Sequence, residues 1–411
     1  MTPTSSLAAP LALPCGATLR NRIAKSALSE QLGTRAHGPD HRLVTLYDRW
    51  ARSGAGLLIT GNVMVDGRAL GEPRNVAVED DRHLPRLREW ATAAKTGGTH
   101  AWMQINHPGR QVPRNLSNTP VAPSAIPVTG MAGAFGTPRA LEHDEILDLI
   151  RRFGTTAGIA IRAGFTGVQI HAAHGYLISQ FLSPLTNQRT DEWGGDAVRR
   201  RRFLLEIVAA VRAEVGPGTP VGVKINSADF QRGGFTEDES LAVVAELADA
   251  GVDLLEISGG TYEAPALMLG NPKASTVARE AYFLDFARKV REQVTIPIML
   301  TGGFRTGSVM ADAVTGGDID VVGLGRPMVL EPDLPARILN GDAAASNTRP
   351  RRIGVAKLDA AAELTWHTTQ LWRMGDAKEP DARQHPLVGI ARYASAAGLD
   401  TLRRPLRRGQ Y

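Results

Sequence analysis

The chain of 411 residues alternates short β-rich runs with amphipathic helical stretches from one end to the other. This alternation is typical of a parallel sheet covered by helices, because each crossover between parallel strands needs a long connection. Eight β-rich runs occur, which is the number that closes a barrel. The predicted strands are Arg22–Ala27, Gly56–Val65, His100–His107, Gly167–Ala173, Pro220–Ser227, Asp253–Gly259, Ile296–Gly303 and Val321–Arg326. The sequence therefore predicts an α/β fold of the (β/α)8 TIM-barrel type.

Two segments fall outside this repeat. Residues 108–140, between the third strand and the next helix, are rich in Pro and Gly, and a loop of this length favours an active-site lid. The barrel is predicted to occupy residues 1–341, and residues 342–411 to form a C-terminal helical extension. Within the extension we predict a helix over Asp359–Met374, with Trp366 and Trp372 buried on the barrel or at a subunit contact.

Composition narrows the class of protein. Hydrophobic residues make up 43% and charged residues 22%, as in ordinary globular proteins. The N-terminus lacks the features of a signal peptide, and no apolar run approaches the roughly 20 residues of a membrane span. A single cysteine, Cys15, excludes an internal disulfide and favours the cytoplasm. The net charge is +5, but the one compact basic run, Arg199–Arg202, comes without interleaved aromatic residues, so no nucleic-acid partner is predicted.

Polar residues interrupt the apolar runs where the strands end. In a barrel the C-terminal ends of the strands form one rim, and that rim carries the chemistry. The first five strands end in or contain Ser26, Gly61, Asn62, Gln104, His107, His171, Lys224 and Asn226. These residues predict one composite site.

The fourth strand gives the densest signal, with His171, His174 and Tyr176 within six positions. Two imidazoles and a phenol supply hydrogen-bond donors and a proton carrier, which a carbonyl-activating site needs. A zinc site is the rival interpretation of the two histidines, but no third ligand lies at a suitable spacing, so no metal is predicted.

Glycines follow the seventh and eighth strands in the runs TGGF and GLGRP. Gly303 and Gly325 let the main chain approach an anion closely, and Arg326 adds a forked cation. The pattern predicts a phosphate site but does not identify what the phosphate is attached to. Two ordinary strand-to-helix turns remain the alternative.

The segments LRNRIAKSA, MQINHPGRQ, PVAPSAI, HAAHGY, FLSPLTNQRTDEWGG and KINSADF, with the two glycine runs, resemble the Old Yellow Enzyme family in its single-barrel form. The resemblance covers about Leu11–Leu339 and implies FMN, reduced by NADH or NADPH. It places Leu11–Asn21 in a hairpin over the barrel bottom. The flavin contacts that it implies are Ser26, Ser29, Gly61, Gln104 and Lys224, with Gly303, Gly325 and Arg326 at the phosphate.

The resemblance further implies a ping-pong ene-reductase. An enone places its oxygen between His171 and His174, and Tyr176 protonates the α-carbon. Ala27, Leu28 and Ser29 depart from the family's usual residues, which predicts retained flavin binding with an altered redox potential.

Lys25 is interpreted as solvated and Glu30 has no assigned role. Some relatives insert a C-terminal arginine into the partner subunit's active site, so we expect a homo-oligomer with Leu402–Tyr411 near a neighbouring subunit.

Other functions stay open. Within the same fold the reaction could be desaturation of a saturated ketone, or reduction of nitro groups or quinones. A phosphate-binding isomerase or aldolase barrel would explain the glycine loops, and a non-catalytic flavin-binding protein would explain the flavin pocket alone. An iron–sulfur cluster and an added nucleotide domain are not expected, because the chain has one cysteine and a short tail.

Overall fold

A computed structural model of the chain describes residues 5–117, 119–130, 133–260, 263, 280–349, 351, 353–354 and 356–402. Eight parallel strands pair in sequence order, and the fourth also pairs with the third, so that the sheet closes on itself. The strands are β1 Ile23–Lys25, β2 Leu57–Ile59, β3 His100–Asn106, β4 Gly167–Ala172, β5 Val221–Asn226, β6 Leu254–Ser258, β7 Ile298–Thr301 and β8 Val321–Leu324. The predicted (β/α)8 barrel is confirmed.

The helices follow the strands around the outside of the barrel. Their bounds are His41–Ala51, Leu84–Ala94, His143–Ala163, Leu177–Leu182, Ala197–Val215, Glu237–Asp249, Leu284–Arg291, Gly307–Thr315, Pro327–Leu330 and Leu334–Leu339. Local chemistry sets some of these ends: Thr236 and Glu239 form a reciprocal capping box, in which each side chain accepts a hydrogen bond from the other residue's main-chain N–H. None of the described helices is long and apolar enough to cross a membrane.

The predicted second strand is too long. Gly56–Val65 contains two separate strands, because the extended conformation is interrupted between Ile59 and Val63. The second piece, Val63–Met64, pairs with β3 above the point where β2 has ended, and Val76–Ala77 adds to it.

An N-terminal hairpin closes the bottom of the barrel, as predicted. Leu11–Ala12 pairs antiparallel with Thr18–Leu19, and a short helix over Ser5–Ala8 precedes this hairpin in the chain. Three leucines of this segment join one apolar cluster with side chains from inside the barrel; these leucines are Leu11, Leu13 and Leu19. The cluster excludes water from the lower half of the barrel.

The segment after β3 carries a two-stranded parallel pairing of Val121–Ala122 with Arg139–Ala140. It is tied to the barrel through Arg110, whose guanidinium donates to the Pro127 carbonyl at 2.9 Å and pairs with the Glu263 carboxylate. Whether the segment acts as a lid remains a prediction.

Two helices follow the barrel, Ala356–Gly375 and Pro386–Leu402. The first contains the predicted helix Asp359–Met374. Trp366 is fully buried, and Trp372 is partly buried with its ring stacked parallel to that of Tyr393. Most of the terminal segment Leu402–Tyr411, for which a subunit contact is predicted, lies outside the described residues.

The basic run Arg199–Arg202 lies at the start of helix Ala197–Val215, and each of its arginines is paired with a carboxylate. The partners, in order, are Asp196, Glu239, Glu246 and Glu192. The run is therefore an ion-pair cluster that joins the helix to its neighbours.

Candidate active site

Alternate residues of each barrel strand point into the barrel and form layers. The lower layer is apolar and consists of Ala24, Leu57, Trp102, Leu254, Met299 and Val321. The next layer lies two residues further along the strands, toward their C-terminal ends, and is polar. Its members are Ser26, Gln104, Gln169, Lys224, Glu256 and Thr301.

A continuous hydrogen-bond network joins the polar layer. Gln104 Nε2 donates to Gln169 Oε1 at 2.7 Å, and Gln169 Nε2 donates to Glu256 Oε2 at 2.7 Å. From the other side Thr301 Oγ1 donates to Glu256 Oε1 at 2.7 Å, and the Ser26 hydroxyl lies 2.8 Å from that of Thr301. The predicted flavin contacts Ser26 and Gln104 are thus connected through residues that were not predicted.

Lys224 enters the same layer. Its Nζ lies 3.1 Å from Glu256 Oε1, and both side chains are almost inaccessible to solvent, at 4% and 0%. Glu256 was not singled out from the sequence. A charged residue in the middle of the apolar run Leu254–Ser258, at an inward position, was the signal available for finding it.

His171, His174 and Tyr176 meet above the polar layer. The two imidazole centroids are 5.0 Å apart, and the His171 ring lies 4.9 Å from that of Tyr176. His171 Nδ1 accepts a hydrogen bond from the Ala173 N–H at 3.2 Å, which leaves its proton on Nε2. The structure therefore brings together all three residues predicted to be catalytic.

Burial lowers the pKa of both histidines well below the ordinary value. For His171 the neighbouring His174 and Lys224 add to the effect, since like charges disfavour the protonated form. Both imidazoles are neutral, so each offers one N–H donor without carrying charge.

His174 is held in an uncommon conformation. Its φ of 62° is in the left-handed region, which a non-glycine residue adopts at a cost of about 1–3 kcal/mol. Its main-chain N–H donates to Asn226 Oδ1 at 3.2 Å, and its Nε2 lies 2.9 Å from Ser258 Oγ. The contact from β5 holds the main chain of His174, and the contact from β6 orients its ring.

Tyr176 precedes helix Leu177–Leu182 and is 6% exposed. Asn62 Nδ2 donates to its hydroxyl oxygen at 3.4 Å. Asn62 therefore orients a phenol that lies against the His171 ring.

Ser29 and Gly61 lie on the loops after β1 and β2. Ser29 donates its hydroxyl proton to Glu72, a carboxyl whose pKa burial raises to about 7. Gly61 packs tightly against the neighbouring loop, since a Cβ there would lie 2.0 Å from Glu30 Oε2 and 2.3 Å from the Leu28 carbonyl oxygen. Glu30, to which no role was assigned, accepts a hydrogen bond from the Gly61 N–H at 3.0 Å.

Lys25 is not solvated, and the sequence-based interpretation is wrong at this position. Its side chain is fully buried between the barrel and helix His41–Ala51, where Nζ donates to the Ile59 carbonyl at 2.7 Å and lies 3.1 Å from the Tyr47 hydroxyl. The outward side of β1 faces a helix and not water. Burial lowers the pKa of Lys25 to about 8.

The phosphate-site residues occupy the ends of β7 and β8. Gly302 and Gly303 have φ values of 136° and 90°, which side-chain-bearing residues rarely adopt. A Cβ on Gly303 would lie 2.8 Å from the Tyr282 ring, whereas one on Gly325 would make only ordinary contact. Glycine is therefore required at position 303, where the Tyr282 ring packs against the main chain.

Arg326 is partly exposed and pairs with Glu363 at 2.7 Å. Glu363 belongs to helix Ala356–Gly375, and its position by the rim was not predicted. The same helix reaches the other side of the site, because Trp372 Nε1 donates to the Glu30 carbonyl at 3.0 Å. The segment after the barrel therefore contacts loops at both ends of the predicted flavin site.

These residues fit FMN. An amide, an ammonium and a hydroxyl on the inner polar layer match the polar edge of an isoalloxazine, and the glycine pair with Arg326 matches a phosphate. No group of three His, Cys, Asp or Glu side chains that could hold a metal ion occurs in the described ranges.

Comparison with known proteins agrees with the geometry. Residues 6–344 match the family described as NADH:flavin oxidoreductase / NADH oxidase. The NADH-dependent flavin oxidoreductase iliE of Hypocrea jecorina is 41% identical over 353 residues, covering 80% of this chain and 88% of that protein. The corresponding iccE protein of Talaromyces variabilis is 38% identical over 400 residues, covering 90% and 96%.

Among solved structures, the old yellow enzyme homologue from Zymomonas mobilis superposes with a TM-score of 0.71 at 28% identity, over 83% of this chain and 94% of that one. An isomerase or aldolase function is accordingly set aside. The chain belongs to the NADH:flavin oxidoreductase / NADH oxidase family, the Old Yellow Enzyme family, whose members use FMN with NADH or NADPH as hydride donor.

Proposed function

We propose that this protein reduces the C=C bond of α,β-unsaturated carbonyl compounds by a ping-pong hydride transfer. The observation that carries the proposal is the pair of neutral, buried imidazoles beside a phenol, His171, His174 and Tyr176. FMN bound at this site would supply the hydride chemistry, from the nicotinamide to the β-carbon of the second substrate. The chain's own groups must then stabilise negative charge on the carbonyl oxygen and supply one proton.

His171 and His174 meet the first requirement. Two N–H donors in a dry site act on charge that develops in the transition state, and each such donor is worth about 3–4 kcal/mol. Neutral donors suit this task because they do not need to be desolvated as cations in the buried site. The contacts of His174 to Asn226 and Ser258 hold its main chain and its ring, respectively, before the substrate arrives.

Tyr176 meets the second requirement. A phenol has a reference pKa of about 10 and holds its proton at neutral pH, so it can donate that proton to the α-carbon. Its ring lies 4.9 Å from that of His171, which supports a proton donor beside the proposed oxyanion donor.

We assign the cofactor contacts as the resemblance implies them. In the polar layer and the adjoining loops these are Ser26, Ser29, Gly61, Gln104 and Lys224, and at the phosphate they are Gly303, Gly325 and Arg326. For Ser29 and Arg326 this requires that their present partners, Glu72 and Glu363, share them with the flavin or release them.

The decisive experiment separates the two half-reactions by anaerobic stopped flow. Tyr176→Phe should leave flavin reduction by NADH or NADPH nearly unchanged and slow reoxidation by cyclohexenone by about 10²- to 10⁴-fold. Equal loss in both halves would show that Tyr176 is structural. Reoxidation only by nitro compounds or quinones in the unmodified enzyme would contradict the enone assignment.

A second test addresses the histidines without turnover. Simple phenols should bind the oxidised enzyme with a long-wavelength absorbance band, because a phenolate oxygen takes the place of the substrate oxygen. His171→Ala combined with His174→Ala should abolish this binding. A band of unchanged intensity and affinity in the double variant would exclude both residues as oxyanion donors.

We also propose a homo-oligomer in which the basic C-terminal end lies near a neighbouring subunit. The partly exposed helix Pro386–Leu402 brings the chain to that end. Deleting Leu402–Tyr411 should lower the sedimentation coefficient or raise KM for the enone. A truncated protein with unchanged sedimentation and kinetics would refute this proposal.

A further inference from the structure

Glu256 is the most deeply buried of the acidic residues that the structure describes and the proposed reaction does not use. Its side chain is fully inaccessible, and its two oxygens receive Gln169 Nε2, Thr301 Oγ1 and Lys224 Nζ. It lies at the centre of the polar layer, directly above the apolar layer. We infer that Glu256 is the positioning residue that sets the hydrogen-bond polarity of the flavin contacts in this layer, an inference that rests on the proposed contacts of Ser26, Gln104 and Lys224.

One branch of the network runs to Gln104. A carboxylate only accepts hydrogen bonds, so Gln169 must turn its NH2 group toward Glu256 and its carbonyl toward Gln104. Gln104 must then use an N–H on Gln169, as observed at 2.7 Å. Its own carbonyl oxygen is left to accept from a ligand, which matches the single N–H between the two carbonyls of a flavin pyrimidine ring.

The other branch runs to Ser26. Thr301 has one hydroxyl proton and donates it to Glu256, so the hydroxyl contact at 2.8 Å must be a donation from Ser26 to Thr301. Ser26 therefore presents lone pairs to the cofactor. Gly323 provides the room for this arrangement, since a Cβ there would lie 2.1 Å from Thr301 Oγ1 and 2.5 Å from Ser26 Oγ.

The third contact is with the cation. Lys224 and Glu256 are directly opposed on neighbouring parallel strands, β5 and β6, and their side chains meet in a space without solvent. The carboxylate fixes the ammonium and offsets part of its charge. Glu256 thus acts on the flavin potential in the opposite sense to Lys224, and a role limited to stabilising the barrel would leave that potential unchanged.

The test uses FMN-loaded protein and two readouts that do not depend on turnover, the midpoint potential of bound FMN and its dissociation constant. Glu256→Gln should shift the potential to more positive values, because an anion beside the cation is lost. It should also weaken FMN binding by roughly 10- to 100-fold, the usual effect of losing a charged hydrogen-bond partner. Glu256→Asp, which keeps the charge, should bring the potential back toward the wild-type value.

Asp253→Asn is the matched control. Asp253 precedes the same strand at the opposite end of the barrel, where it is equally buried and binds Arg212 at 2.7 Å and the N–H groups of Cys15 and Val221. This variant should lower the denaturation midpoint and leave the FMN potential unchanged. An equal shift of potential in Asp253→Asn, or none in Glu256→Gln, would overturn the inference.

Gln169→Met keeps the pair of Lys224 and Glu256 and removes only the hydrogen bonds that lead to Gln104. This variant is the alternative test if Glu256→Gln does not fold. It should weaken FMN binding and leave the potential within a small fraction of the Glu256→Gln shift. Gln104→Met tests the flavin contact itself. If Gln104→Met weakens FMN binding and Gln169→Met does not, the role of Glu256 is refuted and the Gln104 contact stands. If Gln104→Met has no effect on FMN binding, the proposed Gln104 contact is itself refuted.

Discussion

Two buried lysines occupy opposite sides of the barrel wall. Lys25 on β1 points outward, into the layer between the barrel and helix His41–Ala51, and Lys224 on β5 points inward to the polar layer. Their side chains are 0% and 4% exposed, so burial does not distinguish them. Their partners do.

Lys25 has aromatic and main-chain neighbours. The Trp50 ring centroid lies 4.3 Å from Nζ, the Ile59 carbonyl accepts a hydrogen bond, and the nearest carboxylate, of Glu30, is 3.7 Å away. Lys224 instead faces a carboxylate at 3.1 Å within a connected polar network. The side of the strand therefore decides whether a lysine ties a helix to the barrel or joins the polar layer inside it.

The largest expected effect comes from breaking the inner pair. Lys224→Met leaves Glu256 buried without its cation, which should lower the free energy of unfolding by about 3–5 kcal/mol. Urea unfolding measures this, and the double variant Lys224→Met with Glu256→Gln should recover part of the loss. A single variant within about 1 kcal/mol of wild type would show that the pair is not coupled.

The buried Lys25 should make the free energy of unfolding depend on pH. Its folded pKa of about 8 lies below the unfolded value of about 10.4, so between these values the unfolded chain keeps a proton that the folded chain has lost. The free energy of unfolding should therefore rise with pH across this window, by about 3 kcal/mol from this group. The unfolding free energy of wild type minus that of Lys25→Met should be larger at pH 10.5 than at pH 7. An equal difference at the two pH values would contradict the prediction.

The smallest expected effect comes from the contact between helix Ala356–Gly375 and the loop that carries Glu30. Trp372→Phe removes the hydrogen bond to the Glu30 carbonyl and should cost about 1 kcal/mol of unfolding free energy. It should also weaken FMN binding slightly, because Glu30 contacts Gly61. Trp366→Phe is the control, since its N–H bonds to Gln384 within the C-terminal segment and its loss should leave FMN affinity unchanged.

Local pattern was sufficient for the barrel and for part of the site. Each observed barrel strand lies inside a predicted one, and the glycines and histidines at the rim follow strands that could be located from their apolar runs. The error at Gly56–Val65 has a local cause as well: apolar residues resume at Val63 after the Thr-Gly-Asn sequence that ends β2, so two short strands resemble one long one.

The partners of these residues could not be predicted in the same way. Glu72 accepts a hydrogen bond from Ser29, Glu363 pairs with Arg326, and Glu256 binds side chains from three other strands, all across long sequence separations. Lys25 shows the same limit, since its burial depends on a helix that begins sixteen residues later (Lys25 to His41).

The sequence by itself determined the order of strands and helices, the fold that closes them and the residue types on the rim, because periodicity and turn chemistry are properties of neighbouring residues. The tertiary structure alone decided which polar side chains share protons and that Lys25 is buried beneath a helix. Those contacts depend on the register of strands that are paired across the barrel and on helices packed from elsewhere in the chain.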